Sequence, residues 1–292
     1  MRAGMGNPCV FVGVVVIIGT AMAGRECRTF RVACLESTGH TLFKDSDKKI
    51  DVLCAGLSLQ LEQQLKAETP VDLIVTGEFP TFMGSEDGME NMAQAIPGPR
   101  SEKLASVAAR YRVWLVADML EKVPTAGGYD VYNTLIVFDR QGRLVASHRK
   151  VQLSPGEIDR GIKAGAELTV IDTEFGVIVP IICWEARYPD HVARMMAAAA
   201  DRGLRPHLVV HPSAGYFENQ LPEIARNHNV YVASACWDKY SRIIAPDGEV
   251  LDQQCNRAKI PEEMTLAVAD IPVGPKQSCT SLSAPTTAPA SE

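Results

Sequence analysis

A thiol, an amine and carboxylates are the groups with which this sequence could do chemistry. Cys183 ends the apolar run "VPIIC" and is followed at once by Trp184 and Glu185. Lys150 ends "LVASHRK", and Glu157 comes seven residues later in "SPGE". Glu78 ends "LIVTGE". A cysteine attacks carbon as its thiolate, so it needs a base or a positive neighbour. A carboxylate in an enclosed pocket can be that base once burial raises its pKa. Each residue also has an ordinary use: an acid after a strand caps a turn, a lysine is solvated, and a cysteine fills a core. Glu78, Lys150 and Cys183 differ from that in placement. Each is released at the C-terminal end of an apolar strand, the edge where sites in α/β sheets assemble. A histidine-activated cysteine has less support. Six histidines exist, at 40, 148, 191, 207, 211 and 228. The small-residue elbow that presents such a nucleophile is missing, because Cys183 is flanked by Ile181, Ile182, Trp184 and Glu185.

The elements that must position these residues alternate along the chain. "TFRVACLE" (29–36), "VDLIVTGEF" (71–79) and "RVWLVADML" (112–120) read as strands. Residues 51–68 carry Val52, Leu53, Leu57, Leu61 and Leu65 at helical spacing. Residues 99–111 form a second helix with Ser101 able to cap it. Residues 131–150 are a hairpin turning at Gln141-Gly142, and 168–184 a strand pair turning near Glu174 to Gly176. An Ala-rich helix (190–203), a strand (206–214), a short helix (220–229) and strands at 230–237, 241–253 and 264–271 complete the series. Hairpins mixed with strand–helix units imply two mixed sheets packed together with helices outside.

The whole chain has 292 residues, 46% hydrophobic and 22% charged, with ample apolar material for a core. A net charge of −6 and the lack of any basic stripe argue against a nucleic-acid partner. Eight cysteines are scattered without any C-x-x-C pair, so a zinc site has no support and no disulfide framework is demanded. Residues 1–24 stand apart. An uncharged, mostly apolar stretch from Cys9 to Ala23 ends in Ala21-Met22-Ala23, the layout of a signal peptide, and is short for a membrane span. This predicts a secreted or periplasmic protein, with a short membrane anchor through residues 9–23 or a cytoplasmic protein with a misplaced start as the alternatives. Residues 25–272 form the domain, and 273–292, rich in Ser, Thr, Pro and Ala, a loose tail.

The segments "GEFPTF", "SHRKVQL" and "CWEARYP", with "FGVIVPIICWE" and "RNHNVYVASA…SRIIAPDGEVL", resemble the nitrilase superfamily of carbon–nitrogen hydrolases over about 240 residues. The resemblance implies a four-layer α-β-β-α sandwich with two mixed β-sheets and a Glu–Lys–Cys triad. Glu78 is then the general base, Lys150 the stabiliser of developing charge and Cys183 the nucleophile. It also implies Glu157 and Glu185 as orienting residues and the Trp184 backbone N–H as an oxyanion donor. Glu185 has an ion pair with Arg187 as its ordinary alternative. No metal or organic cofactor is implied. The expected substrate is a small amide, with a nitrile as the alternative, and an inactive scaffold of the same fold is the remote one. Acyl transfer of the membrane-bound kind is disfavoured, since only one short apolar segment is present. A homodimer or higher homo-oligomer, paired through the helix near 190–201, is implied by the resemblance alone. The loop Asp238-Lys239-Tyr240 is shorter than usual in the family, so the pocket rim is expected to be open or completed by a partner subunit.

Overall fold

Alternation along the first strand sets the architecture. In β1 (Thr29–Leu35), Val32 and Cys34 face one apolar core while Ala33 and Leu35 face another. A strand buried on both faces must lie inside a layered fold, and its uninterrupted apolar run follows from that. The computed structural model describes residues 28–36, 42–80, 85–237, 239–255, 258 and 260–274. The expected export segment 1–24 and all but the first two residues of the expected tail lie outside the described residues, as do Cys9, Cys27 and Cys279.

After β1 come α1 (Ser46–Lys66), β2 (Leu73–Val75), α2 (Met89–Met92), α3 (Pro99–Tyr111), β3 (Trp114–Thr125), β4 (Gly128–Phe138) and β5 (Leu144–Arg149). The second half holds α4 (Pro155–Asp159), β6 (Ile171–Thr173), β7 (Gly176–Pro180), a 3-10 turn (Cys183–Arg187), α5 (Pro189–Asp201), β8 (Pro206–Ser213), α6 (Gln220–His228) and β9 (Tyr231–Cys236). β10 (Ser241–Ile244), β11 (Val250–Gln254), a second 3-10 turn (Pro261–Glu263) and β12 (Leu266–Pro272) follow.

Two six-stranded mixed sheets result, ordered β12-β1-β2-β3-β4-β5 and β11-β10-β9-β8-β7-β6. Each has a central parallel trio, β1-β2-β3 and β7-β8-β9, flanked by antiparallel strands. This shared pairing pattern is a structural repeat that has no counterpart in the sequence. Val32, Val75, Val116 and Leu135 meet Ile178, Leu208, Val210 and Ile243 between the sheets. Leu53 and Leu57 of α1 and Leu104 and Val107 of α3 cover the outer face of the first sheet. Helices α5 and α6 cover the second through Val192, Met195, Leu221 and Ile224. α5 leaves Ala193, Ala197 and Ala200 exposed. The four-layer sandwich is therefore the fold.

Several boundaries differ from the sequence reading, each for a local reason. α1 begins at Ser46 rather than 51 because the Asp45 side chain accepts from Lys48 N at 2.8 Å and caps it. Gly98, not Ser101, caps α3; Ser101 sits one turn in and accepts from Gly98 N at 2.8 Å. The strand expected at 71–79 ends at Val75, so that Glu78 leaves the sheet. β7 likewise ends at Pro180, and Cys183 opens a 3-10 turn rather than ending a strand. Among the described residues no helix is long and apolar enough to cross a membrane, and Cys34, Cys54, Cys183, Cys236 and Cys255 are free thiols.

The end of β5 is pinned by a close backbone approach. Gly165 N donates to Lys150 O at 2.8 Å. A Cβ on Gly165 would fall 2.3 Å from Arg149 O, a backbone atom that cannot swing aside. Gly165→Ala is expected to destabilise the fold by about 1–3 kcal/mol through overpacking. Its thermal midpoint, followed by far-UV circular dichroism, should fall by several degrees. An unchanged midpoint would show that the strand end yields freely.

Candidate active site

The C-terminal ends of the strands converge on one buried ion cluster. Lys150 Nζ lies 2.7 Å from Glu78 Oε1 and 2.8 Å from Glu157 Oε2. Lys150 and Glu78 are each 1% exposed. Burial alone lowers a lysine pKa, but Glu78, the Cys183 thiolate form and Glu157 outweigh it and hold this ammonium above its ordinary value. The charged form is therefore the resident one, and it neutralises carboxylates that could not otherwise be buried together.

Each member is fixed from behind. Lys150 N donates to Asn133 O at 2.8 Å, which sets the lysine just past β5. The Asn133 side chain, on β4, donates to Glu78 Oε1 at 2.9 Å and Glu157 Oε1 at 2.8 Å. Glu78 Oε2 accepts from Ala214 N at 2.9 Å, just beyond β8, and Glu78 O accepts from Trp237 Nε1 at 2.8 Å, just beyond β9. Glu157 Oε2 also accepts from Ser154 N at 2.7 Å, so the turn expected at "SPGE" and the site residue are the same glutamate.

Cys183 sits at φ +43°, in the left-handed region that costs a non-glycine residue strain. The sequence has no glycine elbow here, yet the backbone makes a strained turn. Large neighbours do not prevent it because Ile181 and Ile182 point into the core. Glu78 and Ser213 are among the groups that neighbour the thiol. Burial and the negative charge of Glu78 push it up to about 12, with Lys150 opposing. It rests as a thiol, and its proton has Glu78 as a neighbouring acceptor. His211 acts on the backbone instead. Its Nε2 lies 3.2 Å from Cys183 O and its Nδ1 2.8 Å from Ser234 Oγ. A carbonyl only accepts, so Nε2 carries the proton and the Ser234 hydroxyl donates to Nδ1. Burial lowers this ring to about 4, leaving it neutral at pH 7.

Glu185 lies in the same turn and does not pair with Arg187, correcting that alternative. Arg187 stacks on the Trp184 ring at 4.2 Å. Glu185 instead joins the segments that carry Cys183 and Lys150. Its Oε2 accepts from Ile182 N at 2.8 Å, beside Cys183, and its Oε1 from Val151 N at 2.7 Å, beside Lys150. His148 Nε2 and His191 Nε2 lie 3.3 and 3.1 Å from its oxygens. Burial by itself raises such a carboxyl, but the two histidines hold it well below the ordinary glutamate range. It has no exposed surface, so it positions rather than touches substrate. Trp184 is half-buried, with Nε1 donating to Tyr188 Oη at 3.2 Å. Its backbone N–H belongs to the first turn of a 3-10 helix, where such groups have no intrahelical acceptor.

Four participants were not found in the sequence: Asn133, Asp118, Ser213 and Trp237. Asn133 and Asp118 had a usable signal, since each is a polar residue inside an otherwise apolar strand ("VYNTLIVF", "LVADML"). Asp118 is fully buried; its Oδ1 accepts from Phe79 N at 2.9 Å, and Phe79 itself is at φ +49°. Burial and the adjacent Glu78 charge raise Asp118 well above the ordinary carboxyl range.

The cluster opens into a cavity of about 150 Å³ lined by Glu78, Phe79, Lys150, Glu157, Cys183 and Ala214, with Ser154, Gly156 and Arg160. A larger depression, about 380 Å³, is lined by Tyr132, Arg149 and Glu167 among others and contains none of Glu78, Lys150 or Cys183. Among the described residues no group of three or more metal-ligating side chains is poised to hold an ion. The smaller cavity thus brings a thiol, two carboxyl groups and an ammonium around one space, a set that suits acyl transfer through sulfur.

Known proteins share this arrangement of the chain. The carbon–nitrogen hydrolase family matches residues 54–278. A bifunctional nitrilase/nitrile hydratase of Nicotiana tabacum is 38% identical over 114 residues, 37% of this chain and 31% of its own length. A bifunctional nitrilase/nitrile hydratase of Lupinus angustifolius is 28% identical over 200 residues, 67% of this chain and 55% of its own. The chain thus spans about a third to about half of the length of these curated relatives. Saccharomyces cerevisiae Nit3, a member of branch 10 of the nitrilase superfamily, superposes with a TM-score of 0.67 at 19% identity, covering 84% of this chain and 90% of that one. An amidase from Nesterenkonia sp. gives 0.63 at 20%, covering 83% and 90%. At these identities the structural likeness shows the fold.

Two outcomes follow from the site. Glu185→Gln is expected to cost about 3–5 kcal/mol at neutral pH, the scale for breaking a buried charged network. The folded pKa of Glu185 lies below its ordinary 4.5. Its stabilisation is therefore full above that value and is lost as pH falls below it. Urea melts should show the wild-type advantage shrinking below about pH 4.5; a constant advantage at all pH would refute the charged network. Separately, the thiolate absorbance difference between wild type and Cys183→Ser, read near 240 nm, should stay flat from about pH 6 to about pH 9, because the thiol is raised to about 12. A step near neutrality would mean a resident thiolate.

Proposed function

The chain belongs to the carbon–nitrogen hydrolase family, and from that premise we propose that it hydrolyses small amides through a Cys183 thioester. The observation that carries this reading is the Lys150 ammonium bridging Glu78 and Glu157 at 2.7 and 2.8 Å in the cavity that contains Cys183.

The steps follow from the positions. Glu78 takes the proton of the Cys183 thiol as sulfur bonds to the amide carbon. This removes the cost of a buried free thiolate, because the proton leaves only as the new bond forms. The negative charge moves to the former carbonyl oxygen, where Lys150 Nζ and the Trp184 backbone N–H oppose it. The intermediate collapses, the carbon–nitrogen bond breaks, and Glu78 returns its proton to the departing nitrogen. Ammonia or an amine leaves and a thioester remains. Water then loses a proton to Glu78, adds to the thioester carbon, and the sulfur departs to recover its proton. Glu157 and Asn133 keep Lys150 and Glu78 aligned through both halves. No step requires a metal or organic cofactor.

Nitrile hydrolysis is the second reading, favoured by the nitrilase names of the curated relatives. A nitrile carbon is open to the same sulfur, and the charge then develops on nitrogen. Glu185 does not discriminate the two, because it is tied to His148 and His191 away from the cavity. Ala193, Ala197 and Ala200 of α5 are exposed, and small side chains there favour close packing of a second copy in a homodimer or higher homo-oligomer.

The test is ammonia release by the full-length chain on a panel of short amides and nitriles, with Cys183→Ala and Glu78→Gln beside it. Release by wild type, and a loss of at least about a thousandfold in both variants, is the expected result, in line with removing a nucleophile or its base. Product identity separates amide from nitrile hydrolysis. Equal release by Cys183→Ala would overturn the sulfur mechanism.

A further inference from the structure

The peptide group between Glu78 and Phe79 is held at both of its polar atoms. Its carbonyl, Glu78 O, accepts from Trp237 Nε1 at 2.8 Å, and its N–H, on Phe79, donates to Asp118 Oδ1 at 2.9 Å. Trp237 follows β9 of the second sheet, and Asp118 lies in β3 of the first. Phe79 is at φ +49°, where a non-glycine residue persists only when surrounding contacts over-determine the backbone. The peptide joins directly to the Cα that carries the Glu78 side chain. Asp118 therefore supplies one of the two contacts that fix where this carboxylate starts from.

Asp118 is fully buried. It stands opposite Leu135 of β4, and Asn133 is two residues from Leu135, so Asp118 and Asn133 share one face of the sheet. That face carries Val116 and Leu135 and looks into the space between the sheets. Asp118 Oδ2 and Asn133 Oδ1 are both buried, and among the described residues neither has a hydrogen-bond partner. The charged groups around Asp118 are Glu78 and Glu157, which oppose a negative charge there, and Lys150, which favours it. The Lys150 ammonium is engaged by the two glutamates at 2.7 and 2.8 Å, and among the described residues Asp118 has no ion-pair partner. With one ammonium and two ionised glutamates the cluster is already negative, and a third buried carboxylate would add to that charge. A buried carboxyl with one N–H donor and no cation takes up a proton rather than staying charged. Protonated, Oδ2 becomes a donor on the face where Asn133 Oδ1 is an acceptor without one.

We infer that Asp118 is a positioning residue for the base: as an uncharged acid it holds the Glu78–Phe79 peptide, so that Glu78 is aimed at Cys183 without a third negative charge beside it. The inference rests on the reading of Glu78 as the base. The Asp118 proton stays in place through the cycle, and Glu78 alone exchanges protons with sulfur, nitrogen and water. Asp118 does not line the cavity, so it acts through Glu78 and not on the substrate.

An asparagine reproduces the uncharged acid, because its Oδ1 can accept from Phe79 N while its amide donates where the hydroxyl does. A leucine can do neither. Asp118→Leu should lose about a hundredfold in kcat on short amides, the scale for a misplaced reacting group, with KM changed little. The conservative Asp118→Asn should recover most of that loss. Its acid limb in kcat/KM should coincide with the wild-type limb, whereas removal of a negative charge beside the base would move the limb to lower pH. A limb so displaced, full activity in Asp118→Leu, or no recovery in Asp118→Asn overturns the inference.

Infrared spectra of the resting protein locate the proton without turnover and without the leucine variant. The wild-type minus Asp118→Asn difference spectrum at neutral pH should contain the carbonyl stretch of a carboxylic acid. A difference spectrum with only carboxylate bands overturns the inference, since Asp118 is then charged. Alkylation of Cys183 by iodoacetamide, taken as the difference from Cys183→Ala, reads the alignment of base and thiol in the absence of a substrate. It should be slowed in Asp118→Leu and largely restored in Asp118→Asn; equal rates in all three proteins overturn the positioning role. If no amide or nitrile is hydrolysed, the proposed function fails, and the infrared and alkylation comparisons still decide the role of Asp118.

Discussion

The contact between the Lys150 ammonium and the carboxylates of Glu78 and Glu157 is the constraint on which the rest of the structure depends. Two anions and a cation held at 2.7 and 2.8 Å, almost fully out of water, are stable only as a set. Removing any one leaves an uncompensated buried charge. The surroundings are arranged to meet that requirement. Asn133 supplies one amide to both carboxylates, Ala214 N and Ser154 N satisfy their remaining oxygens, and the adjacent Asp118 carboxyl is pushed well up by burial and by the Glu78 charge. The same enclosure raises the Cys183 thiol and ties its ionisation to Glu78. Stability and chemistry therefore draw on one set of contacts.

Those contacts come from both sheets, so the site exists only when the sandwich is closed. Glu78 and Lys150 leave the first sheet, beyond β2 and β5, whereas Cys183 and Ala214 leave the second, beyond β7 and β8. Glu185 crosses this seam, accepting from Ile182 N on the cysteine side and from Val151 N on the lysine side. Trp237, beyond β9, reaches over to Glu78 O. These ties explain why strained residues persist at Cys183 and Phe79. Positive φ at non-glycine residues is retained where surrounding contacts over-determine the backbone.

The short α4 is held against the charged cluster from its start. Glu157, in its first turn, lines the cavity beside Lys150, and its acceptance from Ser154 N at 2.7 Å closes the first turn of the helix.

The sequence alone determined the two packed mixed sheets with helices outside, and it marked the candidate reactive groups. Apolar runs with strand and helix periodicity depend on burial, which local patterning records, and acids, lysine and cysteine at strand ends are visible as breaks in those runs. The periodicity placed helix 99–111 and the hairpin turn at Gln141-Gly142 where the structure has them. Tertiary structure decided the rest. Asn133 and Asp118 gain their importance from partners 55 and 39 residues away in the chain, Glu78 and Phe79. Glu185 reads as a partner for its neighbour Arg187, yet it pairs with His148 and His191 because the closed sandwich brings them to it. The strained turn at Cys183 has no glycine to announce it, since its geometry is imposed by the packing of Ile181 and Ile182 and by the hold of His211 on Cys183 O. Contacts of this kind depend on distance in space, which a linear pattern does not encode.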